Sequence, residues 1–257
     1  KILNKNKILA PKLINQNYKN NYIEVEDFGD NTLYKVLKHN KTNKEFFFIK
    51  ILKTLSRLQL IKDKQVVNLN RQKYKVQKYE DKTLLNEAKL FSEWYAPTKI
   101  NKFQIRKFKK GYENEVKKLL SKLNLKNDTF VHRDFHVSNL MYVKNNIAVI
   151  DSQDALIGNK TYDLASLVDD VRFETSNKLK NKILNNYFKK LKKTEINKFV
   201  NDFEILSVLR NLKIIGIFTR LALRDNKKKY VKMIPYAWEM INYCLLYTSD
   251  AADDRLS

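Results

Sequence analysis

The chain of 257 residues carries 51 Lys and Arg against 28 Asp and Glu, a net charge of +23, and is 43% hydrophobic and 12% aromatic. That is apolar enough for one large core or two small ones, and it excludes a disordered or collagen-like chain. With only 4 Gly and 3 Pro the sequence favours helices over a many-turned sandwich or barrel, and the single Cys244 excludes a disulfide framework and a cysteine-built zinc site. Such cysteine usage fits a reducing, cytoplasmic compartment.

Taken alone the charge points to nucleic acid or an anionic membrane. The basic residues are 42 Lys and only 9 Arg, beside 29 Asn, a bias that AT-rich codons also produce. Phosphate and base readers lean on the bidentate fork of Arg. No run of five or six like charges occurs, so a solvated basic surface is expected, with no nucleic-acid partner and no membrane. The opening Lys1 to Leu9 has no apolar run of signal-peptide length.

In chain order, Tyr22 to Phe28 alternates as a strand and breaks at Gly29-Asp30. Leu33, Val36 and Leu37 predict a short helix, with Asn31 or Thr32 as N-cap. Phe46 to Ile61 predicts a longer apolar helix. Residues 63–80 read as polar and irregular. Residues 83–95 predict an amphipathic helix with Leu84, Ala88, Phe91 and Tyr95 on one stripe, and Glu87 on the same stripe. Glu115 to Leu125 predicts another helix. The pattern then turns to strands: Thr129 to Val131, Leu140 to Val143 and Ile147 to Ile150, the last two joined as a hairpin through Lys144-Asn145-Asn146. After a loop at 152–160 the chain is predicted to be helical to its end. The apolar stretch Phe203 to Leu223 contains Arg210, Lys213 and Arg220, which reads as a buried helix rather than a membrane span.

The polar residues of 131–163 are concentrated unlike those of a surface. Val131-His132-Arg133-Asp134-Phe135-His136-Val137-Ser138-Asn139-Leu140 runs from the end of one strand to the start of another, and Ile147 to Ile150 delivers Asp151. Asp134, Asn139 and Asp151 are thereby expected to converge. Phosphoryl transfer asks for such a set: a carboxylate to accept the proton of an attacking hydroxyl, and an amide oxygen with a second carboxylate to hold Mg²⁺. Asp134 is the candidate base; Asn139 and Asp151 are the candidate metal ligands. The spacing H-R-D-x-x-x-x-N is that of the kinase catalytic loop. With three His in all (His39, His132, His136) and no Cys nearby, a zinc site is not expected, and His136 reads as structural. His132 is expected to pack under the loop. Asp163 is either a carboxylate at a helix N-terminus or a buried brace for the catalytic-loop backbone.

His132 to Asn139, Ile150 to Gly158 and Tyr162-Asp-Leu-Ala-Ser-Leu167 resemble the aminoglycoside phosphotransferase superfamily. Tyr22 to Asp30, Leu85 to Tyr95 and Arg210 to Asp225 bring the resemblance closest to the bacterial cell-wall amino-sugar kinases, which act on the anomeric hydroxyl of N-acetylmuramate and N-acetylglucosamine. The resemblance spans roughly residues 10–243. It implies an α+β, protein-kinase-like large lobe, mainly helical with a small β hairpin at the catalytic loop, and use of ATP and Mg²⁺ on a small-molecule hydroxyl. It assigns the base to Asp134, the magnesium ligands to Asn139 and Asp151, adenine contacts to the backbone of Glu24, Val25, Glu26 and Asp27, structural support to His132, Arg133 and Asp163, and the sugar side to Glu87 and Asp154. Ser152-Gln153 follow Asp151, a partial fit to that branch.

The resemblance further divides the chain into a remnant of the small nucleotide lobe with the hinge (1–30), the catalytic lobe (31–244) and a tail (245–257). Only Lys1 to Asn21 precede the hinge, with no glycine-rich loop or phosphate-pairing lysine, so a fragment without activity of its own is expected. The tail has no Lys, looks like translated adapter sequence, and is expected to be foreign or disordered. The rivals are a kinase of another small alcohol (an aminoglycoside or choline), a basic nucleic-acid-binding module, and a catalytically dead scaffold. The cations of 210–224 argue against a polycationic acceptor, and the intact Asp134, Asn139 and Asp151 argue against the scaffold.

Overall fold

The computed structural model describes residues 1–39, 43–67 and 71–254; the side chains of Tyr18 and of residues 245–254 are outside that description. In chain order the elements are α1 (Ile2–Lys5), β1 (Leu13–Asn17), β2 (Tyr22–Val25), α2 (Leu33–His39), α3 (Lys44–Gln59), β3 (Gln65–Val67), β4 (Lys73–Lys75), α4 (Asp81–Leu90), α5 (Lys102–Leu120), β5 (Asn127–Val131), β6 (Leu140–Val143), β7 (Asn146–Val149), β8 (Leu156–Asn159), α6 (Tyr162–Val168), α7 (Asn177–Phe188), α8 (Lys193–Leu223) and α9 (Ile234–Asp254). They form two compact units, residues 1–78 with 126–190 and residues 79–125 with 191–257, a division that runs through the segment 31–244. The predicted tail from 245 is α9 backbone as far as Asp254, and residues 255–257 lie outside the described residues.

In the first unit, α3 buries Phe47, Phe48, Ile51, Leu52, Leu55 and Leu58, the spacing of one helical face, and packs that region against α7 and β5. The short α2 begins as predicted, with Thr32 Oγ1 accepting the Lys35 N–H at 3.3 Å. Among the described residues its strands form four antiparallel pairs: β1 with β2, β3 with β4, β5 with β8, and β6 with β7. The β6–β7 hairpin turns through Lys144 and Asn145 at φ 45° and 64°, the two left-handed residues of a tight hairpin.

Three segments differ from what the sequence pattern predicts. Residues 63–80 are not irregular: Gln65 to Val67 and Lys73 to Lys75 pair as a hairpin, which Lys-rich spacing hid from the alternation. The segment 152–160 is not all loop, because Leu156–Asn159 is the partner strand of β5. That strand is short and buried on nearly its whole length, so no alternation marks it. The helix expected from Glu115 begins at Lys102, where Asn101 caps it by accepting the Phe103 N–H at 3.1 Å.

In the second unit, the 31-residue α8 packs against α4, a turn of π-helix at Phe91–Tyr95, and α9. Gly216 allows a close helix approach: a Cβ there would stand 2.3 Å from the Leu90 carbonyl carbon and 2.5 Å from the Phe91 nitrogen. Phe91, Tyr95, Tyr112 and Trp238 form an aromatic cluster beside it, with Trp238 Nε1 donating to the Tyr95 hydroxyl at 3.3 Å.

Candidate active site

Two ladders position the chemistry. The register pairs Val131 with Leu156 at the end of β5–β8, and Leu140 with Val149 at the start of β6–β7. The two links between the ladders are therefore 132–139 and 150–155, held at one end of both. Ile150 N–H donates to the Asn139 carbonyl at 3.1 Å, so Asn139 and Asp151 are neighbours across that junction.

The 132–139 loop is fixed from beneath. Asp163, buried at the start of α6, accepts the His132 N–H on Oδ2 at 2.7 Å and the Arg133 N–H on Oδ1 at 3.0 Å. Burial pushes its carboxyl up to about 6; the His132 charge and the two backbone N–H groups oppose that, and Asp134 adds to it. The buried His132 ring bonds through Nε2 to the Ile150 carbonyl at 2.9 Å and meets Phe135 edge-on. One imidazole thus ties the loop to the strand that carries Asp151. His136 is buried in the same loop.

Asp134 is half-buried, and its carbonyl accepts from the His136 N–H at 3.0 Å and from Asn139 Nδ2 at 3.1 Å. Since the nitrogen of the Asn139 amide is used inward, its Oδ1 is the end left to a cation. Asp151 is exposed, in the left-handed region at φ 63°, and accepts from Gln153 Nε2 at 2.7 Å. An amide oxygen and a carboxylate oxygen on hydrogen-bonded backbone fit a hard cation that keeps waters in its remaining positions. Among the described residues no group of three His, Cys, Asp or Glu could hold a metal, so a protein-built cage is not on offer.

Asp151, Ser152 and Gln153 also line a cavity of about 460 Å³ in the first unit. Its other walls are mostly apolar, with Ala10, Leu13, Ile23, Val25, Val66 and Val76 among them. A mostly apolar slot with a few polar groups in its wall, among them Lys1, Gln16 and Asp151, suits a flat heterocycle bearing charged groups. Of the predicted adenine segment, Val25 lines the cavity and Glu24 sits beside it on β2. Glu26 joins β1–β2 through its N–H to the Lys12 carbonyl, and the Asp27 carboxylate accepts the Gly29 N–H at 2.8 Å. The contributions of β3 and β4 escaped the sequence reading; the signal was Val66, Tyr74 and Val76 alternating among polar residues. Gln153, two residues from Asp151, escaped it too.

The Asp154 carbonyl accepts from Arg133 Nη1 at 3.4 Å, and the residue is exposed. Glu87 belongs to the second unit, where its carboxylate accepts from Lys213 Nζ at 2.9 Å and from the Tyr79 hydroxyl. It bridges α4 and α8 there.

Residues 11–195 match the model of the APH family, described as a phosphotransferase enzyme family. The chain belongs to this family. Among curated relatives, an N-acetylmuramate/N-acetylglucosamine kinase of Neisseria meningitidis is 34% identical over 171 residues, 64% of this chain and 50% of that protein. A protein of the same name from Pseudomonas aeruginosa is 28% identical over 236 residues, 88% of this chain and 65% of its own length. The chain thus spans between half and two thirds of these relatives. Among solved structures, an amicoumacin kinase in complex with AMP-PNP, Ca²⁺ and Ami matches with a TM-score of 0.65 at 15% identity, covering 94% of this chain and 75% of that one. That likeness shows a kinase-like fold, which agrees with the helices and small antiparallel sheets described above. No helix among the described residues is long and apolar enough to cross a membrane.

Proposed function

We propose that the protein to which this chain belongs transfers the γ-phosphate of ATP to a hydroxyl of an amino sugar of the bacterial cell wall. In this reading the first unit carries the catalytic loop of a kinase-like large lobe, and β1–β2 with the residues before it contribute to the nucleotide side. Asp134 accepts the proton of the attacking hydroxyl, and Asn139 and Asp151 hold Mg²⁺, which would neutralise phosphate charge when bound. Val25 and its neighbours on β2 meet the adenine in the apolar slot. Asp154 is assigned to the acceptor side. The protein is assigned to the cytoplasm, where ATP is available.

The observation that carries this reading is the junction at which Asn139, bonded to Ile150, stands next to Asp151, a residue of the wall of the apolar slot, with Asp134 on the same braced loop. The names of the Neisseria and Pseudomonas relatives supply the acceptor. The test is a pair of proteins: the chain itself, and a chimera that completes it with the parts of the Neisseria relative beyond the matched half. The chimera should consume ATP with N-acetylmuramate or N-acetylglucosamine, and the chain alone should turn over little. A chimera that phosphorylates choline or an aminoglycoside, and neither sugar, would reassign the acceptor. A chimera that binds no ATP would end the kinase reading.

A further inference from the structure

Asp151 stands immediately before a 3-10 turn, Ser152–Asp154. An Asp in that place ordinarily accepts a backbone N–H of the turn it precedes. Here no such cap forms, and the Asp151 backbone is left-handed (φ 63°) rather than extended. The bond comes instead from a side chain: Gln153 Nε2 reaches Asp151 Oδ1 at 2.7 Å. A carboxylate only accepts, so the contacting atom must be the amide nitrogen. Asp151, Ser152 and Gln153 together form one wall of the cavity, so this bond lies at the cavity surface and does not brace the core.

We propose that Gln153 is a positioning residue that makes Asp151 a one-oxygen ligand and so biases the site toward Mg²⁺ over Ca²⁺. The inference rests on the kinase reading above. With Oδ1 engaged by a neutral donor, Oδ2 is the oxygen left for a cation. Mg²⁺ demands a near-octahedral shell and is held through few carboxylate oxygens plus water. Ca²⁺ takes about six to eight oxygens and is well served by both oxygens of one carboxylate. A donor that occupies one oxygen therefore costs Ca²⁺ a contact that Mg²⁺ does not use. Gln does not titrate, so the bias should not change with pH.

The test reads cation binding. Mn²⁺ bound to the full chain in the presence of ADP is followed by electron paramagnetic resonance, and Mg²⁺ and Ca²⁺ are titrated in as competitors. The unaltered chain should release Mn²⁺ more readily to Mg²⁺ than to Ca²⁺. Partners of metal ligands typically contribute about 10–100-fold in metal affinity, so Gln153→Ala should move the Mg²⁺-to-Ca²⁺ ratio about tenfold toward Ca²⁺. Gln153→Glu, which removes the donor and adds an oxygen, should move it at least as far. A role in local folding alone would lower the melting temperature and leave the ratio in place. An unchanged ratio in both variants overturns the proposal and leaves the kinase reading standing. If neither the chain nor the chimera that completes it binds Mn²⁺ with ADP, both readings fall.

Discussion

Replacing Asp163 by Asn separates the two things this carboxylate does. Its ionised form is the one that accepts both the His132 and Arg133 N–H groups, yet burial raises its carboxyl from 3.8 to about 6. A raised carboxyl means that the folded state binds the proton more tightly than the unfolded chain. The stability it contributes is therefore complete below about 4 and is lost as pH rises through about 6. Roughly two pH units at about 1.36 kcal/mol each give ~3 kcal/mol. In the Asn variant that pH dependence disappears, but the amide can accept only one of the two N–H groups on its oxygen and turns its own NH₂ toward the other. A buried donor left unsatisfied costs about 1–3 kcal/mol. Below about 4 the native carboxyl is protonated and leaves the same N–H unmatched, so there both proteins should unfold at similar urea concentrations. The difference should emerge as pH rises, the native chain losing ~3 kcal/mol relative to the variant between pH 4 and pH 6. Hydrogen exchange at the His132 and Arg133 amides should meanwhile be faster in the variant at neutral pH. Urea midpoints whose difference does not change with pH would refute the burial argument, and unaltered exchange would refute the bracing role.

Other outcomes follow from single contacts. Asp134→Asn in the chimera should lower the single-turnover rate about 10²–10⁴-fold and leave nucleotide affinity nearly intact. Asp151→Asn should abolish divalent-dependent nucleotide binding, read by calorimetry with and without a chelator. Gly216→Ala should destabilise the second unit by about 1–3 kcal/mol in urea titrations, because the new methyl meets Leu90 and Phe91 backbone that cannot rotate away. Lys180→Met should cost about 3–5 kcal/mol, since it strips Asp169 of a partner at 2.8 Å where both side chains are 4% exposed.

The parts of the fold legible in sequence were those where one period persists. The stripe Phe47, Phe48, Ile51, Leu52, Leu55 and Leu58 announces α3, and the tight turn at Lys144-Asn145 announces its hairpin. The 132–139 loop was legible as a candidate because phosphoryl transfer would fix residue types at fixed spacing. What escaped was pairing between segments distant in sequence. β8 is recognised only by its ladder with β5, some 30 residues earlier, and Val66, Tyr74 and Val76 count as cavity wall only once β3 and β4 fold over the slot. Glu87 was legible as an unusual charge on an apolar stripe; its partner Lys213, 126 residues on, was not.

Strain at the site follows from the same geometry. Arg133 and Asp151 both hold positive φ, 74° and 63°, and they occupy the two links that join the ladders. Non-glycine residues in that region cost of order 1 kcal/mol or more and persist only where the surroundings over-determine them. Each has a visible cause. At Arg133 the reversed backbone lets two successive N–H groups converge on one buried carboxylate, an arrangement that favours an anion. At Asp151 it follows at once on the Ile150–Asn139 hydrogen bond and precedes the Gln153 contact, so the carboxylate is held from both sides along the chain. A glycine would relieve either strain, but at Asp151 it would delete the proposed ligand, and at Arg133 it would free the loop to sample conformations in which Asp134 no longer faces one way. The strained residues are therefore located where the proposed chemistry needs fixed direction, and the ladders, Asp163 and His132 supply the bonds that keep them there.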